Sequence, residues 1–202
     1  MKPVAKFGVP EVDVPRVCLL DPDGDIIRHL QAAGQGVRHP GWACYHTEMW
    51  VTDLHGLPVG VVGLAVGAPF AVLVAEQLSA SGAELILSIT SAGQIRPLGD
   101  PSYFVLITKA LRDEGTSHHY LPPSEWGHLA PDLEEVLLRQ RTSTASRWRQ
   151  RPSTPTGQPG GVLSCASPTS PTRWRWMATT SKRVAIDALE ITEAAARSLL
   201  VL

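Results

Sequence analysis

Residues 58–95 read PVGVVGLAVGAPFAVLVAEQLSASGAELILSITSAGQI, and the order of patterns in this stretch decides the fold. Residues 58–66 form a short, valine-rich apolar run, the composition of a strand buried on both faces of a parallel sheet. Gly67 ends it. Pro69 then suits the first turn of a helix, Ala71–Leu78 supplies strong helix formers, and Gly82 stands where a glycine closes a helix. A second apolar run, Glu84–Ile89, follows at once. Strand, helix and strand in this order predict a right-handed crossover and a parallel sheet, hence an α/β fold whose ligands bind beyond the carboxyl ends of its strands. Ser88–Ile95, SITSAGQI, falls at such an end.

Outward from this unit, a third run, Tyr103–Thr108, leads into Arg112–Pro123, a stretch too rich in charge and histidine to be core. Pro131–Arg139 reads as a short helix with Asp132 near its start. Beyond Leu138 the composition changes abruptly. Residues 139–183 carry nine of the 18 Lys and Arg, no Asp or Glu, and three of the six tryptophans, amid Pro, Ser and Thr, with no helical or strand period. Residues 184–201 return to an amphipathic helical pattern, with apolar positions at Ile186, Leu189, Ile191, Ala195, Leu199 and Leu200. There is no internal repeat.

A chain of 202 residues with 44% hydrophobic content can bury one α/β core. The net charge of -1 gives no overall case for nucleic acid or an anionic membrane as partner. Apolar stretches are broken well before the ~18 residues a membrane helix needs, and Met1–Lys6 is not followed by a signal-type run, so a cytoplasmic protein is expected. Cys18, Cys44 and Cys165 are odd in number and widely spaced, which fits neither a disulfide framework nor a metal knuckle; buried free thiols are expected. His29, His39, His46, His55 and His128 lack metal-ligand spacing, so no metal is expected.

Two segments carry polar chemistry. Ile89–Gly93 offers backbone amides, two hydroxyls and a glycine at a strand end, which suits an anion or a sugar hydroxyl, although a plain turn is the simpler reading. The run Arg112-Asp113-Glu114-Gly115-Thr116-Ser117-His118-His119-Tyr120 gathers charge, hydroxyl and imidazole groups able to position a polar substrate; a solvated loop explains it equally well. No nucleophile elbow or phosphate-binding Walker loop is present.

Taken in succession, VGAPFAVLVAEQLSASGAELILSITSAGQI and RDEGTSHHYLPP resemble the core of the nucleoside phosphorylase family, of the uridine and purine nucleoside type, over roughly residues 15–138. The resemblance implies a three-layer α/β sandwich around a twisted mixed sheet and a homo-oligomer built from dimers. It also implies nucleoside and phosphate as partners, with phosphate as co-substrate and no other cofactor. In that chemistry phosphate attacks ribose C1′ through an oxocarbenium-like state as the N-glycosidic bond breaks, a step of nucleoside salvage. By position, Ser91, Ala92 and Gly93 resemble the phosphate and sugar turn, and Gly67 the ribose-side turn. Arg112, Glu114, Thr116, Ser117, His118 and His119 fall in the base-side or substrate loop. No single catalytic residue is marked.

Three departures stand out. The family's phosphate-holding arginines fall in a Gly-Asp-Pro-x-Arg loop, here Leu20-Asp21-Pro22-Asp23-Gly24; in an Arg-Glu element, here Thr47-Glu48; and just before the Thr/Ser-Ala-Gly turn, here Ser88. Without these guanidinium groups the bidentate contacts that favour phosphate are lost, and water is an alternative nucleophile, as in related nucleosidases. A non-catalytic nucleoside-binding or dimer-interaction module is a further alternative. The family's later ribose-binding Glu-Met-Glu segment and base-binding Thr-Asp region are absent as written.

Residues 139–183 admit a specific explanation. Trp and Met each have a single codon, so shifting the reading frame makes Trp176-Met177-Ala178 encode Asp-Gly. Over 165–184 the same shift permits CFAHVTNTVAVDGDDFEKG, which resembles the family's late core strand and its polar continuation. Over 146–156 it permits a peptide like the ribose-binding helix, lacking its second glutamate. The expected organisation is therefore a phosphorylase-like core at 1–138, an irregular segment at 139–183 read out of frame, and a helix of the same domain at 184–202, with the fold incomplete after about 138. The other reading of 139–183 is an unusual basic linker.

Overall fold

The computed structural model describes residues 13–91, 104–131 and 134, the backbone of 148–149 and 173–179, and a helix at 184–199. Val17–Asp21 (β1) runs through the middle of an eight-stranded sheet and is buried at every position. Leu57–Gly63 (β4) pairs parallel to it on one side, with Asp21 opposite Gly63, and Leu85–Ser91 (β5) pairs parallel on the other, with Leu20 opposite Ser88. The crossover expected from 58–89 is thus present, with β1 lying between its two strands. Its helix is Ala68–Ala80 (α2), closed by Ser81 and by Gly82 at φ +103.

Met49–Leu54 (β3) forms a hairpin with β4 around His55-Gly56, both at positive φ, the turn that matches strand twist; Asp53 accepts the Gly56 amide at 2.7 Å. Val37–Arg38 (β2) lies outside β3. On the far side of β5 come Arg173–Thr179 (β10), Phe104–Leu106 (β6) and Trp148–Arg149 (β9), numbered in chain order with the pair below. β10 is parallel to β5 and antiparallel to β6, so the sheet is mixed. Lys109–Leu111 (β7) and Trp126–His128 (β8) make a separate antiparallel pair.

Period-two alternation sends successive β1 residues to opposite faces. Val17 and Leu19 pack with Val61, Leu87 and the helices Asp25–Ala33 (α1) and Val184–Leu199 (α3), through Ile26, Leu30, Ala188 and Ile191. Cys18 and Leu20 pack with Met49, Val62 and Ile86 under Val74, Ala75 and Leu78 of α2. Helices therefore cover both faces of the sheet, giving an α/β protein of three layers. α3 is also tied to the β3–β4 turn: Arg197 donates to the carbonyls of His55 at 2.8 Å and Leu54 at 3.3 Å, and Glu193 receives Arg197 and meets His55 Nδ1, each at 2.9 Å. His55, then Arg197, hold the Glu193 carboxyl below its ordinary range.

The structure corrects several expectations. Residues 139–183 contribute β9 and β10, because β5 and β6 present facing edges whose backbone groups require a partner. The apolar run 58–66 leaves the sheet at Gly63, and Leu64 and Val66 are exposed where the chain turns toward α2. In α3, Leu189, Ile191 and Ala195 face the core as expected, but Ile186 is exposed and Thr192 is buried, its hydroxyl bonded to the Ala188 carbonyl at 2.7 Å. Cys18 is buried, which pushes its thiol pKa up, whereas Cys44 is half-buried. Leu199 and Leu200, Cys165 and most of the 131–139 helix lie outside the described residues. Among the described residues no helix is long and apolar enough to cross a membrane, and no group of three or more His, Cys, Asp or Glu is placed to hold a metal.

Candidate functional site

The chain leaves β1 into α1 on one face and β4 into α2 on the other, so the carboxyl ends of these adjacent parallel strands form a switch point, the place where open α/β sheets bind ligands. Three short segments meet there. The Asp21 carbonyl accepts amides from both sides, Gly24 and Leu64, each at 3.0 Å, which ties the β1 loop to the β4 loop. Asp23 crosses to β5, where its Oδ2 accepts the Ser91 amide at 2.5 Å and the Thr90 hydroxyl at 3.2 Å.

Backbone conformation marks the same edge. Leu64 has φ +62 although it carries a side chain, a strained state that persists only where surrounding structure enforces it, and one that clusters at ligand sites. Gly67 has φ +88 and ψ 143, a conformation open essentially to glycine, and a Cβ placed there would meet nothing within 4 Å. A ligand can therefore approach the Gly67 backbone closely. Ser88, one pleat below Thr90 on β5, is buried, and among the described residues its hydroxyl has no hydrogen-bond partner.

Asp21 is the buried acid of this edge. Its carboxylate accepts the Ile26 and Ile27 amides at 2.9 and 3.0 Å, capping α1. Burial pushes its pKa up to about 6, the two amides pull it down, and the charges of Asp23 and Asp25 push it further up. Because the folded value lies above the unfolded one, this group favours folding below pH ~4, and its contribution is lost as pH rises through about 6. The free energy of unfolding should accordingly fall by up to about 3 kcal/mol between pH 4 and 7 on account of Asp21 alone. Urea titrations of the chain and of Asp21→Asn across that range measure it: their stability difference should change with pH, and a constant offset would refute the assignment.

The second polar segment is stapled internally. Arg112 is buried; its guanidinium donates to Ser117 Oγ and the Ser117 carbonyl at 2.9 Å each, to the Pro122 carbonyl at 2.7 Å and to the Leu121 carbonyl at 3.3 Å. Glu114 accepts the Thr116 and Ser117 amides at 2.7 and 3.0 Å. Burial opposes the Glu114 charge, but the bonds from Ser117 and Thr116 outweigh it and hold the carboxyl below its ordinary range. Tyr120 reaches α2 through Glu76 at 2.9 Å. Arg112, Glu114, Thr116 and Ser117 are thus brought together, with Nδ1 of the exposed His118 ring 3.4 Å from Arg112 Nη2, while His119 is exposed.

Of the strand-end turn, Ser91 is in place at this edge, and Ala92 and Gly93 lie outside the described residues. Thr90 lies in the strand-end segment, and Asp21 and Asp23 in the phosphate-loop segment, that the sequence had pointed to, whereas Leu64 was not expected at the site. Asp21 and Asp23 carried one legible signal, acids at a strand end before a helix; the contact of Asp23 with Ser91 spans 68 residues and has none.

The fold and this edge define a three-layer α/β protein whose polar segments meet beyond the carboxyl ends of its central parallel strands. The chain belongs to the Phosphorylase superfamily, which it matches over residues 24–195. It is 30% identical over 73 residues to the uridine phosphorylase of Haemophilus influenzae, covering 36% of this chain and 29% of that protein. It is 27% identical over 109 residues to the uridine phosphorylase of Thermococcus kodakarensis, covering 48% of this chain and 39% of that protein. The matched segments span well under half of each relative's length.

Proposed function

We propose that this chain binds a nucleoside at the carboxyl edge of its sheet and cleaves its N-glycosidic bond, with phosphate as co-substrate attacking ribose C1′ and no other cofactor. The observation that carries this reading is the meeting of the 21–24, 64–67 and 90–91 segments at one switch point in a chain of this superfamily. The open backbone at Gly67 suits close approach of the ribose. The Ser91, Ala92 and Gly93 turn supplies donors to phosphate or sugar. Thr116, His118 and His119 serve the base side, and Arg112, Glu114 and Ser117 give that loop its shape. A homo-oligomer built from dimers and a role in cytoplasmic nucleoside salvage complete the reading.

A second reading, hydrolysis by water, is favoured by the residues at the three guanidinium positions, Gly24, Thr47 and Ser88, and by the carboxylate already bonded to the Ser91 amide. Residues 139–183 belong to the proposal too: they are an out-of-frame reading of the superfamily's later strands, so the cleavage proposed above reaches its full rate only with the frame restored.

Product analysis separates the alternatives. Incubation with uridine or inosine should yield ribose 1-phosphate only when phosphate is present; free ribose independent of phosphate selects the hydrolase. Saturable nucleoside binding without either product selects a binding module. Amide resonances of Gly67, Ser91 and His118 should respond to the same nucleoside, and a chain that shows no response at any of them would sink all three readings.

A further inference from the structure

A strand-end amide with a neighbouring hydroxyl makes an anion seat, and in this protein the seat is filled from within. Asp23 Oδ2 takes the Ser91 amide at 2.5 Å and the Thr90 hydroxyl at 3.2 Å, charge-assisted bonds of the strong kind. We infer that Asp23 is a specificity-determining residue, whose carboxylate occupies the Thr90–Ser91 seat and competes with inorganic phosphate for it. This inference rests on the glycosidic-cleavage reading for its reaction, but not for its anion chemistry.

Charge around the seat acts in the same direction. Asp21 and Asp25 flank Asp23 closely enough that both Asp23 and Asp25 raise the Asp21 pKa. Arg28, the cation that reaches this loop, donates one nitrogen, Nη2, to both the Asp23 carbonyl at 2.9 Å and Asp25 Oδ1 at 2.5 Å, so its charge is matched by Asp25. A second guanidinium is not readily supplied from position 24. Gly24 has φ +73, and a Cβ built there would lie 2.9 Å from Leu64 Cδ2 and 3.0 Å from Arg28 Nη1. A phosphate dianion entering the seat must therefore displace the Asp23 carboxylate, a group of like charge already bonded to the same donors.

The test is titration of inorganic phosphate onto the full chain and its variants by calorimetry, with folding checked by amide spectra. Asp23→Ala empties the seat and should bind phosphate ~10-fold or more tightly than the parent. Asp23→Asn keeps an acceptor in place and should gain less, and Asp25→Asn, which removes an equal charge without vacating the seat, should stay within ~2-fold of the parent. Parent binding as tight as Asp23→Ala, or an equal gain from Asp25→Asn, would overturn the inference. In the frame-restored chain, the KM for phosphate in uridine cleavage should fall on Asp23→Ala. If no variant binds or cleaves nucleoside, the proposed function fails, while the phosphate titrations still decide the role of Asp23.

Discussion

A version of this chain with its frame restored across residues 139–183 is expected to cleave uridine or inosine at least ~10²-fold faster than the chain as written, because a lost electrostatic contact to the transition state typically costs that much. Two lines of argument meet here. The written segment contains no Asp or Glu, so no carboxylate in it can grip ribose hydroxyls or steady positive charge on the sugar. Its longest strand also occupies a place its composition does not suit. β10 lies between β5 and β6, with position 173 opposite Leu85 and position 175 opposite Leu87, both deeply buried. Strands flanked on both sides and covered by helices are ordinarily continuous apolar runs, whereas this one is written Arg-Trp-Arg-Trp-Met-Ala-Thr. The shifted frame permits Val-Ala-Val followed by Asp-Gly at the same place, an apolar strand with a carboxylate at its carboxyl end, the edge where the polar segments meet. Side-by-side assays of the two proteins decide the matter: equal turnover would mean that the catalytic groups lie outside 139–183 and that this segment is a genuine linker.

The legible parts of the fold are those whose stabilisation is local in sequence. β4, α2 and β5 could be read because a valine-rich run, a proline at a helix start and a glycine at its end follow in order, each with its own physical cause. β1 was not read, although it is the sheet's centre. Its five residues, VCLLD, are too few to show a period, and Asp21 interrupts their hydropathy. β10 escaped for the opposite reason: its place follows from the edges of β5 and β6, and nothing in RWRWMAT announces it. At the site, Ser91 and Gly67 were visible as strand-end polar and glycine positions. The contact made by Asp23 and the place of Leu64 were not, because one spans 68 residues and the other rests on a backbone angle no leucine advertises.

Replacing Arg112 by methionine should unlock the 112–122 loop at a local cost of about 3 to 5 kcal/mol, the range found when one partner of a buried charged network is removed. The sequence presents Arg112 as a ligand group, but the structure gives its guanidinium four oxygen acceptors inside the loop, at 2.7 to 3.3 Å, three of them backbone carbonyls that no sequence displays, with His118 Nδ1 beside it at 3.4 Å. Methionine fills similar volume and donates nothing, leaving the carbonyls of Ser117, Leu121 and Pro122 without that donor. Local opening is measured where it occurs. The amides of His119, Tyr120 and Leu121, which donate to Thr116 and Ser117 carbonyls, should lose hydrogen-exchange protection by ~10²-fold or more, while amides of β1 and β5 change little. Arg112→Lys keeps the charge but loses the planar fork, and should fall between the two. The pair of variants also separates positioning from contact. A positioning role predicts that nucleoside binding weakens in proportion to lost loop protection; a direct contact predicts that Arg112→Lys loses binding while the loop stays closed. Unchanged protection in Arg112→Met would reject the staple altogether and return Arg112 to the substrate side of the loop.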